Sequence, residues 1–137
     1  MVLKLFDWNS ALIKYIEKSS EILQAAKLLF QNNMYADCLN RTYYSCFNAM
    51  SACLCEHKID NSSHKQVISR FREYYIKTGI FDKQMSEIIT ILSENRDKSD
   101  YNIGYVADYP TTKECLDSAA IFYNKVSGYL RGKYGFV

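Results

Sequence analysis

The chain has 137 residues, a formal net charge of +2, 48% hydrophobic residues, one proline and five glycines. A length of this order fits a single domain, residues 1–137, with one continuous core, and the small net charge gives no bulk signal for nucleic-acid binding. No apolar run approaches the roughly 18 residues of a membrane span and no apolar leader is visible, so we expect a cytoplasmic protein without membrane contact.

Helical spacing recurs along the chain while strand-type alternation is absent, which predicts an all-α fold, an up-and-down bundle of four to five helices. The first helix is predicted to begin within residues 7–10 and to end near Phe30. A turn is predicted at residues 31–33, and so short a connection predicts that the first two helices are antiparallel. The buried stripe of the first helix is predicted at Leu12, Ile16, Ser19, Leu23, Ala26 and Phe30.

The second helix is predicted from Met34 to about His57 and carries few bulky charged residues. A surface helix would present a wide solvated face, so we expect the other helices to surround this one. One of its faces is apolar and comprises Leu39, Tyr43, Cys46, Phe47, Met50, Cys53 and Leu54. Another face is polar and comprises Asp37, Arg41, Tyr44, Ser45 and Asn48.

A break is predicted at residues 60–62, and Ser63 with Gln66 forms a capping box that starts a third helix ending at Gly79. The fourth helix is predicted from about Asp82 to Ser99. Its apolar stripe, Met85, Ile88, Ile89 and Leu92, continues onto Arg96, whereas Asp97 and Lys98 are expected to face water. The inner face of the third helix is predicted at Val67, Ile68, Phe71, Tyr74 and Tyr75.

Residues 101–110 are predicted to form a loop that carries three tyrosines. A second capping box, Thr111 to Glu114, predicts the start of a fifth helix, and residues 132–137 are predicted to form a tail. The inner face of this helix is predicted at Leu116, Ala119, Tyr123, Val126 and Leu130.

The chain contains five cysteines, an odd number, and their spacing does not match a zinc site. We expect buried free thiols of a reducing compartment, no metal site and no cofactor. The cysteines are Cys38, Cys46, Cys53, Cys55 and Cys115.

Arg41 and Arg96 occupy positions where helical spacing calls for apolar side chains. A partly desolvated guanidinium needs an anion, either a carboxylate of the fold or a phosphate of a ligand. In one interpretation Asp100 forms an internal salt bridge with Arg41 or with Arg96, and Tyr44 or Tyr101 completes the hydrogen bonding. In the other interpretation one arginine stays available in a cleft and binds phosphate. The two interpretations are compatible if Asp100 orients an arginine that also contacts a ligand.

The two histidines, His57 and His64, lie at helix ends, where histidine commonly makes local hydrogen bonds. His64, in the first turn of the third helix, is the better candidate for a base because it can face the second helix. No Ser–His or Cys–His arrangement predicts a nucleophile. The tyrosines of residues 101–109 are expected to be exposed and able to stack on a nucleobase.

Four segments together resemble the HEPN domain: Arg-Thr-Tyr-Tyr-Ser-Cys-Phe-Asn-Ala at 41–49, Ser-His at 63–64, Tyr-Ile-Lys-Thr-Gly at 75–79 and Arg-Asp-Lys-Ser-Asp-Tyr at 96–101. The resemblance spans roughly residues 20–130. It implies a bundle of four or five helices that commonly forms a homodimer. Many such proteins are encoded beside a minimal nucleotidyltransferase, as a toxin–antitoxin module. Active HEPN toxins are metal-independent RNases, and in some pairs the nucleotidyltransferase attaches AMP to a tyrosine beside the catalytic motif.

The resemblance departs from the family pattern at the catalytic histidine. The RNases of the family carry a histidine four to six residues after the arginine that corresponds to Arg96, whereas Tyr101, Asn102 and Ile103 follow here. Arg96 supplies the cation that a phosphorane needs, but Asp100 is a poor substitute for the missing acid–base group. Losing one such group typically costs about a hundred- to ten-thousandfold in rate.

The sequence therefore leaves three functions open. The first is a partner module of a nucleotidyltransferase-associated toxin–antitoxin or defence system, which binds nucleotide or RNA phosphate through Arg41, Tyr44, His64, Arg96 and Tyr101. There Asp100 orients an arginine, and Tyr101 is a contact or a modification point. The second is a metal-independent ribonuclease that uses Arg96 with Asp100 or His64. The third is a non-catalytic helical scaffold.

Overall fold

The computed structural model describes residues 6–59 and 63–136, and the predicted break at 60–62 lies outside the described residues. The described part contains five α-helices and no strand: α1 Trp8–Gln31, α2 Tyr35–Cys55, α3 His64–Phe71, α4 Lys83–Tyr101 and α5 Tyr109–Tyr134. A π-helical turn, Arg72–Ile76, follows α3 directly. These elements confirm the all-α prediction. No helix within the described ranges has the length and hydropathy to cross a membrane.

Helix α2 is the centre of the bundle and packs against α1, α3, α4 and α5. Most of its residues from Cys38 onward are buried, including Ser45 and Asn48 on the face that was predicted to be polar. Arg41 and Tyr44 are half-buried on the same helix. The scarcity of bulky charged residues therefore predicted the central position of α2 correctly.

Two serines bring α1 and α2 into close contact. The Ser19 hydroxyl donates to the carbonyl oxygen of Ser45 at 2.7 Å, and the Ser45 hydroxyl donates to the carbonyl oxygen of Ser19 at 2.9 Å. Both side chains are buried, and their small size lets the two backbones approach each other. The pair explains why a serine occupies the buried stripe of α1, because its hydroxyl is satisfied by the neighbouring helix.

Helix α5 begins earlier than predicted. Asp108, not the Thr111 capping box, caps its N-terminus, and the Asp108 carboxylate accepts from the backbone N–H of Thr111 at 2.8 Å. Pro110 lies in the first turn, where its missing N–H costs nothing, so the proline was wrongly assigned to the loop. The helix also continues to Tyr134, through the predicted tail, and Gly135 ends it at a φ of +69°.

Smaller differences concern helix ends and faces. Tyr101 is the last residue of α4 and not part of the loop, and α2 ends at Cys55. On α5 the fully buried aromatic residue is Phe122, while Tyr123, predicted for the inner face, is half-buried. The Ser63 hydroxyl accepts from the N–H of Gln66 at 3.2 Å, as the predicted capping box requires.

All five cysteines are free and buried, as predicted. Burial raises the pKa of Cys38 and of Cys55 to about 11. Because the thiolate is the reactive form, these side chains act as small apolar core residues.

A buried carboxylate ties the end of α2 to the end of α5. The Glu56 side chain is 4% exposed, and its Oε2 accepts from Lys133 at 2.8 Å and from the Tyr134 hydroxyl at 2.6 Å. Its Oε1 accepts from the hydroxyls of Tyr75 at 2.7 Å and Tyr129 at 3.0 Å. Burial alone would raise the pKa of Glu56, but these four hydrogen bonds outweigh it and hold the pKa below its ordinary value.

We predict that Glu56→Gln lowers the free energy of unfolding by about 2–3 kcal/mol at pH 7, because it removes charge-assisted hydrogen bonds from a buried site. The lowered pKa of Glu56 means that its stabilisation is present above the ordinary value of 4.5 and is lost as the pH falls through the folded-state pKa. The difference in the free energy of unfolding between Glu56→Gln and the parent protein, measured by urea unfolding, should therefore become smaller below about pH 4.5. Glu17→Gln, at an exposed position of α1, is the matched control. Equal stability of Glu56→Gln and the parent protein at pH 7 would contradict the role assigned to this carboxylate.

Candidate anion-binding site

Arg96 lies near the end of α4 with its side chain directed between the helices. The side chain is 12% exposed. Its guanidinium carbon lies 4.5 Å from the centroid of the Tyr43 ring and 5.8 Å from that of Tyr44, and both rings belong to α2. A guanidinium over an aromatic face gains cation–π attraction that increases with desolvation. The apolar stripe of α4, which continues onto Arg96, therefore correctly predicted that this cation lies in the interior.

The charge of Arg96 is poorly neutralised by the protein. Its Nη2 lies 3.2 Å from Oδ1 of Asp97, whose side chain is 56% exposed. Its Nε is buried and has no hydrogen-bond partner within the described ranges. An ion pair with an exposed carboxylate contributes little, typically below about 1 kcal/mol. The guanidinium is thus desolvated and retains capacity for an anion.

The predicted salt bridge to Asp100 is wrong. In the described part of the chain neither Arg41 nor Arg96 forms an ion pair with Asp100, which is exposed. Instead Oδ2 of Asp100 accepts from Nδ2 of Asn40 at 3.0 Å, and Oδ1 of Asn40 accepts from Nε of Arg41 at 3.0 Å. Asn40 therefore joins the two residues indirectly. Asp97 is exposed as predicted, but it is the carboxylate that reaches Arg96.

His64 faces the same aromatic cluster from the start of α3. Its Nδ1 lies 3.2 Å from the Tyr43 hydroxyl, and its ring centroid lies 4.3 Å from that of Phe47. Burial lowers the pKa of His64 below the usual value of 6.5, and the charge of Arg96 lowers it further. Burial raises the pKa of Tyr43 to about 12, although Arg96 opposes this. At neutral pH the imidazole and the phenol are therefore both uncharged.

These side chains line a groove of about 510 Å³ between α3 and α4. Among the described residues, its walls carry three cationic side chains, Lys65, Arg72 and Arg96, and no carboxylate. A separate cavity of about 360 Å³ is lined, among the described residues, by uncharged side chains that include Trp8, Phe47 and Cys55. Of the two, only the groove has the charge to bind an anion. Within residues 6–59 and 63–136, the groove is lined by Tyr43, His64, Lys65, Ile68, Ser69, Arg72, Ser93 and Arg96.

The structure brings together some of the predicted site residues and separates others. Tyr44 lies beside Arg96, and the ring of Tyr101, 76% exposed, has its centroid 5.7 Å from the Arg96 guanidinium carbon. Arg41 lies 5.3 Å from the Tyr44 centroid but does not line the groove, and neither does Asp100. Arg96, His64, Tyr44 and Tyr101 thus form one neighbourhood, and Arg41 and Asp100 flank it.

Sequence reasoning missed three residues of this region. Tyr43 was assigned to the apolar face of α2, although its hydroxyl contacts His64. Asn40, the link between Arg41 and Asp100, was not considered. Arg72 was also missed, although the spacing of four in His64, Ile68 and Arg72 places the three on one helical face and was available as a signal.

We predict that Arg96→Gln raises the pKa of His64 toward its usual value of 6.5, because the substitution removes one of the two causes that lower it. An NMR titration of the imidazole resonances measures this shift directly. Arg41→Gln removes a neighbouring arginine that does not affect His64, and should leave the titration unchanged. An unchanged His64 titration in Arg96→Gln would mean that the two side chains do not share the groove.

Comparison with known proteins identifies the family of this chain. The family model for the HEPN domain matches residues 13–129. Two proteins of Methanocaldococcus jannaschii, each named "Putative toxin", are similar to this chain. One is 34% identical over 76% of this chain and 72% of its own length, and the other is 30% identical over 92% and 86%. A protein of Thermotoga maritima is 32% identical over 61% of this chain and 64% of its own length. The chain belongs to the HEPN domain family.

Proposed function

We propose that this chain is a toxin-type HEPN protein that binds the phosphate of RNA or of a nucleotide in the groove between α3 and α4, with Arg96 as the principal contact. The observation that carries the proposal is a guanidinium that is 12% exposed and whose ionic partner, Asp97, is itself 56% exposed. The names of the two Methanocaldococcus relatives support the toxin assignment.

The chemistry of Arg96 suits a phosphate. Much of the free-energy cost of desolvating the Arg96 guanidinium is incurred when the bundle folds. The binding energy of a ligand therefore does not have to offset that part of the cost. The face of Tyr43 holds the planar group, which favours bidentate hydrogen bonding over a mobile point charge. A phosphate has to displace only the weak contact with Asp97.

We predict that Arg96→Gln weakens binding of a short single-stranded RNA or of a nucleotide by about ten- to a hundredfold. A hydrogen bond to a charged group contributes about 1.5–3 kcal/mol, and each 1.4 kcal/mol changes Kd about tenfold. Fluorescence anisotropy with labelled RNA and calorimetry with nucleotide measure the change. Arg131→Gln is the matched control, since the buried Nε of Arg131 also has no hydrogen-bond partner within the described ranges, yet this residue lies on α5 outside the groove. Equal affinity of Arg96→Gln and the parent protein would exclude Arg96 as the phosphate contact.

A second candidate function is metal-independent cleavage of RNA, and the position of His64 favours it. His64 and Arg96 line the same groove, whereas Asp100 does not. The lowered pKa of His64 keeps its imidazole neutral at pH 7, the form that accepts a proton from a 2′-hydroxyl. Arg96 would stabilise the phosphorane that forms when the 2′-oxygen attacks phosphorus. The bond from phosphorus to the 5′-oxygen then breaks, and the protonated His64 would return its proton to the leaving 5′-oxygen. Of the two residues considered to replace the missing family histidine, the geometry thus supports His64.

We predict for this candidate that the purified protein cleaves single-stranded RNA in the presence of EDTA and that His64→Gln slows the reaction by at least about a hundredfold. Asp100→Asn, outside the groove, should retain the parent rate. Gel analysis of end-labelled RNA measures both. RNA that is bound through Arg96 but never cut would exclude the ribonuclease and leave the phosphate-binding function.

The proposal includes protein partners, a second copy of this chain and a minimal nucleotidyltransferase. A run of exposed apolar side chains around the end of α4 supports such contacts: Tyr101 is 76% exposed, Ile103 106%, Val106 83% and Tyr109 54%. Contiguous exposed apolar groups commonly mark interaction surfaces. Tyr101 also offers an accessible hydroxyl for the nucleotide transfer that the family resemblance implies. In the scaffold alternative, polar residues such as Arg41 and Asp100 only hold helices together. The described residues contain no direct salt bridge between an arginine and Asp100, but Asn40 joins Arg41 to Asp100.

A further inference from the structure

The groove contains a second arginine, Arg72, whose charge is not neutralised by any carboxylate within the described ranges. We propose that Arg72 forms a second anion subsite in the groove that Arg96 lines, so that the preferred ligand carries at least two phosphate groups. This inference rests on the proposed phosphate-binding function and extends it by naming the class of ligand.

Arg72 is held in place by neutral oxygen atoms of α4. Its Nε donates to the Ser86 hydroxyl at 3.0 Å, and its Nη2 donates to the Ser86 carbonyl oxygen at 3.2 Å and to the Thr90 hydroxyl at 2.7 Å. Across residues 6–59 and 63–136, no carboxylate forms an ion pair with it. The side chain is therefore oriented without being neutralised, a state that favours binding of an anion.

The backbone changes from an α-helix to a π-helical turn at Arg72. The π-helical turn Arg72–Ile76 begins at this residue, and π-helical turns inside helices occur frequently at functional sites. His64, Ile68 and Arg72 follow one another at a spacing of four, so they lie on the face of the helix that lines the groove. The groove wall of α3 thus presents a histidine and an arginine to the same space as Arg96.

The two arginines are anchored by different contacts: Arg72 bonds to Ser86 and Thr90, whereas Arg96 contacts Tyr43 and Asp97. The Arg72 guanidinium bonds to Thr90, and Arg96 follows Thr90 by six residues on α4. Six residues correspond to about 9 Å along a helix axis. The anchoring contacts of the two guanidinium groups share no residue, which favours one phosphate group at each arginine over a single phosphate between them. Two phosphate groups, in a nucleoside polyphosphate or in successive positions of an RNA strand, can occupy both subsites.

The test compares three probes, adenosine 5′-monophosphate, adenosine 5′-triphosphate and a ten-nucleotide single-stranded RNA, by calorimetry on the full chain. We expect Arg72→Gln to weaken the binding of triphosphate or RNA about tenfold or more and to leave monophosphate affinity unchanged. Arg96→Gln should weaken all three. For RNA, the dependence of log K on log salt should become shallower by about 0.7 in Arg72→Gln, as for one lost phosphate contact on a single strand. A loss of triphosphate affinity in Arg72→Gln would identify a nucleoside polyphosphate as the source of the second phosphate. A loss of RNA affinity would identify an RNA strand as that source.

The other possible results test either the second subsite at Arg72 or the proposed function itself. Affinities for all probes that depend on Arg96 but not on Arg72 would overturn the second subsite and leave the proposed function intact. An equal loss of monophosphate affinity in both variants would also overturn it, because Arg72 and Arg96 would then share one site. A parent protein that binds none of the probes would overturn both proposals.

A second variant separates binding from a structural role of Arg72 between α3 and α4. Ser69 is exposed on the groove wall, and Ser69→Glu places a carboxylate one turn from Arg72 without removing its bonds to Ser86 and Thr90. We expect this variant to keep the unfolding midpoint of the parent protein and to lose affinity for the multiply charged probe. Unchanged affinity in Ser69→Glu would contradict an anion site at Arg72, even if Arg72→Gln failed to fold.

Discussion

The desolvated guanidinium of Arg96 on the face of Tyr43 is the interaction on which the candidate site depends. It fixes the distance between α2 and α4, since the guanidinium carbon lies 4.5 Å from the ring centroid. Burial lowers the pKa of His64, which contacts the same tyrosine from α3, and the charge of Arg96 lowers this pKa further. One cation thus contacts α2 from α4 and contributes to keeping the nearby imidazole on α3 uncharged. A lysine would keep the charge but lose the planar contact with the ring.

Two largely buried charges, Glu56 after the end of α2 and Arg96 near the end of α4, differ in how completely the protein satisfies them. Glu56 accepts four hydrogen bonds from Tyr75, Tyr129, Lys133 and Tyr134, so its oxygen atoms are saturated. Arg96 has one exposed ionic partner and an unused Nε within the described part of the chain. A saturated charge contributes to stability alone, whereas an unsaturated one keeps a capacity for binding. The contrast is the main physical reason to place function at Arg96.

The helices, the central position of α2 and the interior location of Arg96 could all be predicted from sequence, because each depends on residue spacing along one helix. The partner of Arg96 could not, since Asp97 and Asp100 both lie within one turn of it and the choice depends on the direction of the side chains. The start of α5 was missed because Pro110 is compatible with both a loop and a first helical turn. The role of Arg72 depends on contacts with α4, which spacing along α3 does not reveal.

The burial of all five thiols limits the rate at which oxidants react with the protein. Sulfenic acid formation and mixed disulfide exchange both require an accessible thiolate, and here the sulfur atoms are shielded by α2 and its neighbours. Cys53 is 0% exposed, and burial raises its pKa well above the ordinary value. Oxidation therefore has to wait for the bundle to open, so the rate of sulfur chemistry reports the frequency of that opening.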